Sequence, residues 1–296
     1  MAPRRHHYIP QMMQRNFADA DLHLWSFDKR HPEHGVVRKP IRRLFRGQHL
    51  YTYRRRDGTH DTSTETRLSA IEGRAAPVLA RVVADARAGR GAAFSRADHQ
   101  VLVDLFVAQY RRSPDHHRAP LYRRAVADFL AGKWSRWESL YGPVTEEERA
   151  ILSDERFMLD GARDIIARHA ADPLETATAT MLQRGFSVAR IVVPRRAFIL
   201  GSTSFTRFMA KGSRREDLDE QGAEIWMPVA RDVALCSVGR ADESSFVELG
   251  DAQIRKVNGA MARSSTVFAS ASRDLVEALA RRIPRCIKLH GPWEAL

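Results

Sequence analysis

Residues 62–82 read TSTETRLSAIEGRAAPVLARV, and this stretch predicts a long amphipathic helix. Its apolar side chains recur every three or four residues, the spacing that gathers them on one buried face. The residues on this face are Leu68, Ile71, Ala75, Leu79 and Val82. Thr62 and Glu65 have the spacing of a capping box, which predicts that the helix begins here. Gly73 and Pro77 predict a kink or a break within it.

Further helices are predicted on the C-terminal side of this stretch. Each has a capping residue followed by an acid at its start, or a glycine or proline just beyond its end. The predicted helices run from Ser95 to before Pro114, over residues 119–131, from Thr145, and from Asp172 to before Gly185. Asp172 carries the clearest start signal, because a proline and then Glu175 follow it.

Short apolar or alternating runs on both sides of these helices predict β-strands. Before the helices the runs are Leu22–Phe27 and Leu50–Tyr53, and after them 186–193, 197–201, 225–229 and 233–238. Two further helices are predicted, one from Asp251 and one over Arg273–Arg282. The order predicts an α+β fold with an N-terminal extended segment, a central helical bundle and C-terminal strands flanked by helices. We expect one composite domain over residues 1–296, in which 1–60 form a basic extended segment, 61–185 a helical core and 186–296 a strand-rich part.

The composition excludes several classes of protein. A hydrophobic fraction of 44% and a charged fraction of 28% are ordinary for a folded soluble chain. No run approaches the roughly 20 apolar residues of a membrane span, and the N-terminus lacks the apolar core of a secretory signal. Cys236 and Cys286 have neither metal-ligand spacing nor the pattern of a disulfide framework. We therefore expect a cytoplasmic protein without a membrane partner.

Positive charge is concentrated at the N-terminal end of the chain. The net charge is +12, and residues 1–60 hold 13 Lys/Arg against 5 Asp/Glu, whereas the remainder holds 35 against 31. Only six of the 48 basic residues are lysine, so codon bias accounts for the choice of arginine. It does not account for the shortage of acids in the first sixty residues. Clustered cations favour nucleic acid or another polyanion as a partner.

Several motifs occur in the order seen in one bacterial family. The opening reads His6-His7-Tyr-Ile-Pro-Gln11 and then Arg15-Asn16-Phe17. Later motifs are LWSFD from position 24, ETRLSAIE from 65, QYRRSP from 109, FIL from 198, EIWMP from 224 and VN from 257. From about residue 6 to 270 the chain thus resembles the proteins grouped as domain of unknown function 4238. The resemblance implies no reaction. The family usually has Ser-Asp after the apolar strand near position 200, where this chain has GSTS from Gly201.

His7 is the leading candidate for a catalytic residue. Imidazole titrates near neutrality and therefore serves as an acid, a base or a metal ligand. Neighbouring residues of an extended segment point to opposite sides, so only one of His6 and His7 can face a given site. Gln11, Arg15 and Asn16 are candidate substrate-binding residues beside it. The alternative is a core histidine whose hydrogen bonds attach the N-terminus to the rest of the protein.

Glu65 and Glu72 are candidate catalytic carboxylates, because two helical turns separate them and place both on one face. With His7 they could hold a divalent metal ion or form an acid–base set, in which Asp28 could take the place of Glu65 beside Glu72. The alternative for Glu65 is a purely capping role.

Arg111 and Arg112 are candidate substrate-binding residues at a helix end. There they either complement the helix dipole or bind a carboxylate or a phosphate.

These observations favour a nucleic-acid-directed protein, with phosphodiester hydrolysis as the reaction to test. In that hypothesis His7 and Glu72 belong to one site although 65 positions separate them in the sequence. Two other classes stay open. One is a non-catalytic binding or regulatory protein, in which the opening motif is structural. The other is an enzyme that acts on a small anionic metabolite.

Overall fold

Seven α-helices and thirteen β-strands are present in the part of the chain that the computed structural model describes. That part comprises residues 5–48, 50–54, 59–116, 136, 138–140, 142–154, 164, 167–208, 223–240 and 243–283. The helices are α1 Gln11–Arg15, α2 Ser63–Arg87, α3 Arg96–Arg112, α4 Glu146–Ser153, α5 Glu175–Leu182, α6 Asp251–Ser264 and α7 Arg273–Ala280. The helix predicted over residues 119–131 lies outside the described residues.

The strands divide between the two ends of the chain. The N-terminal strands are β1 Arg5–His7, β2 His23–Asp28, β3 Val37–Pro40, β4 Arg46–Gln48, β5 Tyr53–Arg54 and β6 His60–Asp61. The C-terminal strands are β7 Gly185–Ile191, β8 Leu200–Gly201, β9 Thr206–Phe208, β10 Glu224–Pro228, β11 Val233–Val238, β12 Phe246–Leu249 and β13 Val267–Ser270. Strands therefore enclose the central helices in sequence, and the predicted α+β class is confirmed.

Two sheets carry most of the strands. The larger has the order β12-β7-β11-β10-β9 and is antiparallel except for the β12–β7 pair. The smaller, with the order β3-β2-β13-β8, is antiparallel throughout. It joins N-terminal strands to C-terminal ones, so both ends of the described chain share one sheet. Two short antiparallel ribbons, β1–β4 and β5–β6, stand beside these sheets.

Helices α2 and α3 pack together and position the polar groups of the site. The capping box predicted at the start of α3 is confirmed: Ser95 Oγ accepts a hydrogen bond from Asp98 N at 3.1 Å, and Asp98 Oδ2 accepts one from Ser95 N at 2.9 Å. Of the kink or break predicted in α2, the break is wrong, since the helix continues through Pro77 to Arg87. Burial of an apolar face along its length outweighs the one hydrogen bond that the proline cannot donate.

Three local predictions are corrected. The helix expected from Asp172 begins only at Glu175, because Asp172 instead accepts hydrogen bonds from Arg67 and from the His169 ring. The strand expected over residues 50–53 begins only at Tyr53 and runs to Arg54. The strand expected over 197–201 is limited to Leu200–Gly201. In each case a side-chain contact or burial from a distant part of the chain overrides the local pattern.

One hydrophobic cluster runs through all three predicted parts of the chain. It includes Ile9 and Met13 from the N-terminal segment, Leu79 from α2, Leu102 from α3 and Leu235 from β11. Each of these side chains is almost completely buried. The boundaries proposed at residues 60 and 185, and the single composite domain, stay predictions.

Candidate functional site

The β1–β4 ribbon separates the two histidines of the opening motif. His6 pairs with Gly47 and His7 with Arg46 in the antiparallel register. Because side chains alternate along a strand, His7 and Arg46 share one face with Arg5, and His6 lies on the other. His6 is 1% exposed, whereas His7 is half-buried. The expectation that the two imidazoles point to opposite sides is confirmed.

His6 is the core histidine of the pair. Its ring stacks on Tyr51, with 5.5 Å between ring centroids, and its Nδ1 accepts a hydrogen bond from Tyr51 N at 3.1 Å. The hydroxyl of Tyr51 donates in turn to the carbonyl of Arg112 at 3.3 Å. The structural role that we weighed for His7 therefore belongs to His6. It attaches the N-terminal strand to the end of α3.

His7 is enclosed and electrostatically biased towards its neutral form. Burial lowers the pKa of the His7 ring, and the charges of Arg46 and Arg112 lower it further, while the backbone of Ile41 and Arg42 acts in the opposite direction. The enclosed Nε2 has no hydrogen-bond partner among the described residues. A neutral imidazole next to cations is a proton acceptor at neutral pH.

Four arginines lie on, or next to, the face of the β1–β4 ribbon that carries His7. We call Arg5, Arg42, Arg43 and Arg46 the arginine face. Burial lowers the pKa of Arg46, and the charges of Arg5, Arg43 and Arg42 lower it further, so these three guanidinium groups repel that of Arg46. Within the described part of the chain none of the four forms an ion pair. Arginines elsewhere do meet a carboxylate, among them Arg30, Arg38, Arg74, Arg87, Arg90 and Arg255. The arginine face is thus a concentration of positive charge that no carboxylate of the described residues pairs with.

Arg112 organises a buried polar cluster behind the ribbon. Its side chain is 2% exposed, and Nε donates to the Tyr8 carbonyl at 2.8 Å and to Gln109 Oε1 at 2.9 Å. Nη1 donates to Glu72 Oε1 at 2.5 Å. Nη2 is enclosed without a partner among the described residues. Of the alternatives weighed for Arg112, the structure shows an ion pair with a carboxylate, and Glu72 on α2 supplies it.

Glu65 belongs to the same cluster and does not cap α2. Thr62 forms no side-chain cap, and Asp61 Oδ1 instead accepts a hydrogen bond from Ser63 N at 2.8 Å. Burial raises the pKa of the half-buried Glu65 carboxyl, the charge of Arg112 lowers it, and the charge of Glu72 raises it again. The net direction is upward. We call Arg112, Glu72, Glu65 and Gln109 the Arg112 cluster.

Replacing Glu65 with glutamine should stabilise the protein at neutral pH. Folding raises the pKa of this carboxyl. At pH values between its pKa in the unfolded chain and its pKa in the folded protein, the folded state therefore binds more protons than the unfolded chain. The free energy of unfolding therefore falls as pH rises through that window, and a neutral amide avoids this loss. We expect Tm to rise by a few degrees at about pH 7 and to change little near pH 4. Thermal unfolding of Glu65→Gln beside Glu248→Gln, an exposed control, measures this. An equal gain at both pH values would contradict it.

The remaining predicted binding residues lie at α1 and in the last turn of α3. Asn16 Nδ2 donates to the Val229 carbonyl at 2.9 Å, and its own carbonyl accepts from Arg231 N at 3.1 Å, so Asn16 fastens α1 to the large sheet. Gln11 is half-buried at the start of α1, and Arg15 is exposed at its end. Within the described part of the chain neither of these two side chains makes a hydrogen bond. Arg111, half-buried beside Arg112, lies in the last turn of α3.

Among the described residues, the predicted carboxylates form no group of three possible metal ligands. Within the described part of the chain, one group of three possible metal ligands has its ligand atoms within 4.8 Å of one another. It consists of His31, Glu33 and His34. His7, Glu65 and Glu72 form no such group. Asp28 meets Arg30 at 2.8 Å instead. A divalent ion shared by His7 and these carboxylates therefore gains no geometric support.

The GSTS segment is tied to Asp115, just beyond the end of α3. Ser202 Oγ and Thr266 Oγ1 both donate to the Asp115 carboxylate, as does Thr266 N at 2.9 Å. Ser113 Oγ donates to the Ser202 carbonyl at 2.7 Å. The GSTS segment lacks the aspartate expected from the family pattern, but Asp115 places a carboxylate next to it. This carboxylate accepts hydrogen bonds from three donors.

Comparison with protein families decides the assignment of the chain. The model of the family described as protein of unknown function (DUF4238) matches residues 5–274. The chain belongs to the DUF4238 family. No curated protein and no solved structure matches it. In this DUF4238 protein no described helix is long and apolar enough to span a membrane.

Proposed function

We propose that this DUF4238 protein binds nucleic acid and that the arginine face contacts the phosphodiester backbone. The observation that carries the proposal is the convergence of Arg5, Arg42, Arg43 and Arg46 without a carboxylate partner in the described part of the chain. Guanidinium groups bind phosphate through paired hydrogen bonds. The charges of the other three repel the Arg46 guanidinium, and an anion bound beside it relieves this repulsion.

A polymeric anion fits the arginine face better than a single small one. The four side chains come from β1, from the turn of 3₁₀ helix over Ile41–Arg43 and from β4, so they span two neighbouring strands and the turn before them. One phosphate needs only one or two guanidinium groups. A row of phosphates satisfies all four, and each contact releases counterions condensed on the nucleic acid.

The purified protein should bind duplex DNA with an affinity that falls steeply as salt rises. Four phosphate contacts predict a slope of log affinity against log salt concentration of about −3 to −4. Fluorescence anisotropy of a labelled duplex between about 50 and about 200 mM salt measures the slope. Absence of binding at the lowest salt would contradict the proposal. If inorganic phosphate alone then raised Tm, an enzyme or binding protein for a small anion would be favoured instead.

Phosphodiester hydrolysis is a second candidate, favoured by the position of His7. Its neutral ring shares the ribbon face with Arg5 and Arg46, so a phosphate on the arginine face would lie near a proton acceptor. The same mixtures with a divalent metal ion added should then show shortening of the labelled strand. His7→Ala should bind with unchanged affinity and leave the strand intact. Cleavage that persists in this variant would show that His7 takes no part in the reaction. If wild-type protein leaves the strand intact, hydrolysis is contradicted and only the proposed binding function remains.

A further inference from the structure

The loop between β2 and β3 stacks two histidines in an ordered turn. Pro32–His34 form one turn of 3₁₀ helix, in which side chains three positions apart eclipse each other. His31 and His34 have this spacing, and their rings stack with 5.3 Å between centroids and 21° between planes. Gly35 closes the turn with φ of +62°, a conformation that glycine adopts without strain. The backbone thus holds both imidazoles on one side of the turn.

Glu33 brings a carboxylate to both rings. Its Oε1 lies 3.4 Å from His31 Nδ1 and 3.7 Å from His34 Nε2. In a tetrahedral zinc site with bonds of about 2.0–2.1 Å, neighbouring ligand atoms are about 3.3 Å apart. Two of the three separations are therefore within a few tenths of an ångström of those in a zinc site. Rotation of the exposed side chains can bring the two imidazole nitrogens, the third pair, to the same separation.

We infer that His31, Glu33 and His34 form a binding site for a zinc-class divalent transition-metal ion. Two imidazoles and one carboxylate are a ligand set that catalytic zinc sites use, with further positions left for water or a substrate. Imidazole ligands select Zn²⁺, Ni²⁺ or Cu²⁺ over Mg²⁺ and Ca²⁺, which prefer oxygen. This inference is independent of the proposed nucleic-acid binding.

A groove next to the turn gives the ion access to solvent. Its volume is about 610 Å³, and Glu33 and His34 line it together with Phe27, Arg273 and Glu277. The side chains of His31, Glu33 and His34 are each more than half exposed, so an entry path exists and little rearrangement is needed. An ion held by these three side chains would keep its remaining coordination positions towards water.

The test is a zinc titration of tag-free, chelator-treated protein by isothermal calorimetry. Wild type should bind one Zn²⁺ per chain. The double variant His31→Ala with His34→Ala should lose at least about tenfold in affinity, the scale seen when even an outer partner of a metal site is removed. The matched control is His23→Ala with His60→Ala, which removes two histidines from the same N-terminal region and should bind as wild type does. Equal affinity in the two double variants, or absence of binding by wild type, would overturn the inference.

Cobalt reports whether the ion contacts these side chains directly. Co²⁺ bound by imidazole and carboxylate in a four- or five-coordinate site absorbs strongly in visible light, whereas the hydrated ion hardly absorbs. Wild type should give this absorption, and Glu33→Gln should weaken it and shift its maximum. A spectrum identical in wild type, Glu33→Gln and the double variant would place the ion elsewhere and overturn the assignment.

Discussion

Replacing Arg112 with alanine should lower the free energy of unfolding by about 3 to 5 kcal/mol. The side chain is almost completely buried and donates to three different acceptors, the Tyr8 carbonyl, Gln109 and Glu72. Its removal leaves the Tyr8 carbonyl and the Gln109 amide oxygen without this donor and Glu72 without its counter-ion. Buried acceptors that lose their partners cost more than the hydrogen bonds themselves contributed. Urea unfolding at equilibrium, with a common slope for all variants, measures the difference.

A second ion pair between the same two helices provides the control. Arg74 on α2 meets Asp104 on α3 at 3.2 Å, but the arginine side chain is 54% exposed. Exposed pairs contribute little, so Arg74→Ala should cost less than about 1 kcal/mol. Arg112→Lys should fall between the two, because it keeps the charge but not the planar fork. If Arg112→Ala cost no more than Arg74→Ala, the Arg112 cluster would not be the structural centre described above.

Helices and strands whose ends are set by neighbouring residues in the sequence, such as capping or turn residues, were predictable. Helix α3 begins where Ser95 and Asp98 exchange capping hydrogen bonds, and it ends at Arg112, before Pro114. Strand β11 has the predicted limits, Val233–Val238, because its apolar run is bounded by turn residues on both sides. In such segments local preference and tertiary packing agree, so a local pattern is sufficient.

Elements whose ends depend on distant partners were not predictable. Asp172 has the sequence of a helix cap, but Arg67, 105 positions earlier, takes its carboxylate. Tyr51 has the pattern of a strand residue, but its ring is buried against His6 instead. Neither partner can be identified from local spacing, because the competing contact is made across the fold.

The candidate site was predictable only in part. The charge count placed the excess of cations in residues 1–60, and alternation along an extended segment separated His6 from His7. Which arginines lack carboxylates depends on tertiary contacts: Arg38 is neutralised by Asp19 and Asp21, whereas Arg42 and Arg43 are not neutralised by any described residue. The grouping of His31, Glu33 and His34 depends on the eclipsed geometry of the 3₁₀ turn, which the sequence does not specify.

Removing the arginine face should nearly abolish nucleic-acid binding while the fold stays intact. Replacing Arg5, Arg42, Arg43 and Arg46 together with glutamine eliminates the four cations that no described carboxylate balances. At about 0.1 M salt the loss of about four phosphate contacts predicts an affinity decrease of roughly a hundredfold or more. Three of the replaced side chains repel the fourth, Arg46, so the variant should be at least as stable as wild type.

The control must remove equal charge from elsewhere. Arg38, Arg74, Arg90 and Arg255 each pair with a carboxylate and are exposed. Replacing these four with glutamine lowers the net charge by the same amount but leaves the arginine face unchanged. If binding depends only on net charge, the two quadruple variants should behave alike. If it depends on the arginine face, only the first should lose affinity.

The most direct measurement is therefore the anisotropy titration of one labelled duplex, at several salt concentrations, with wild type and both quadruple variants. We predict that the control keeps an affinity within a few-fold of wild type and a slope of about −3 to −4, whereas the arginine-face variant binds weakly with a slope nearer zero. Indistinguishable affinities and slopes for the two quadruple variants would contradict the proposal that the arginine face binds the phosphodiester backbone.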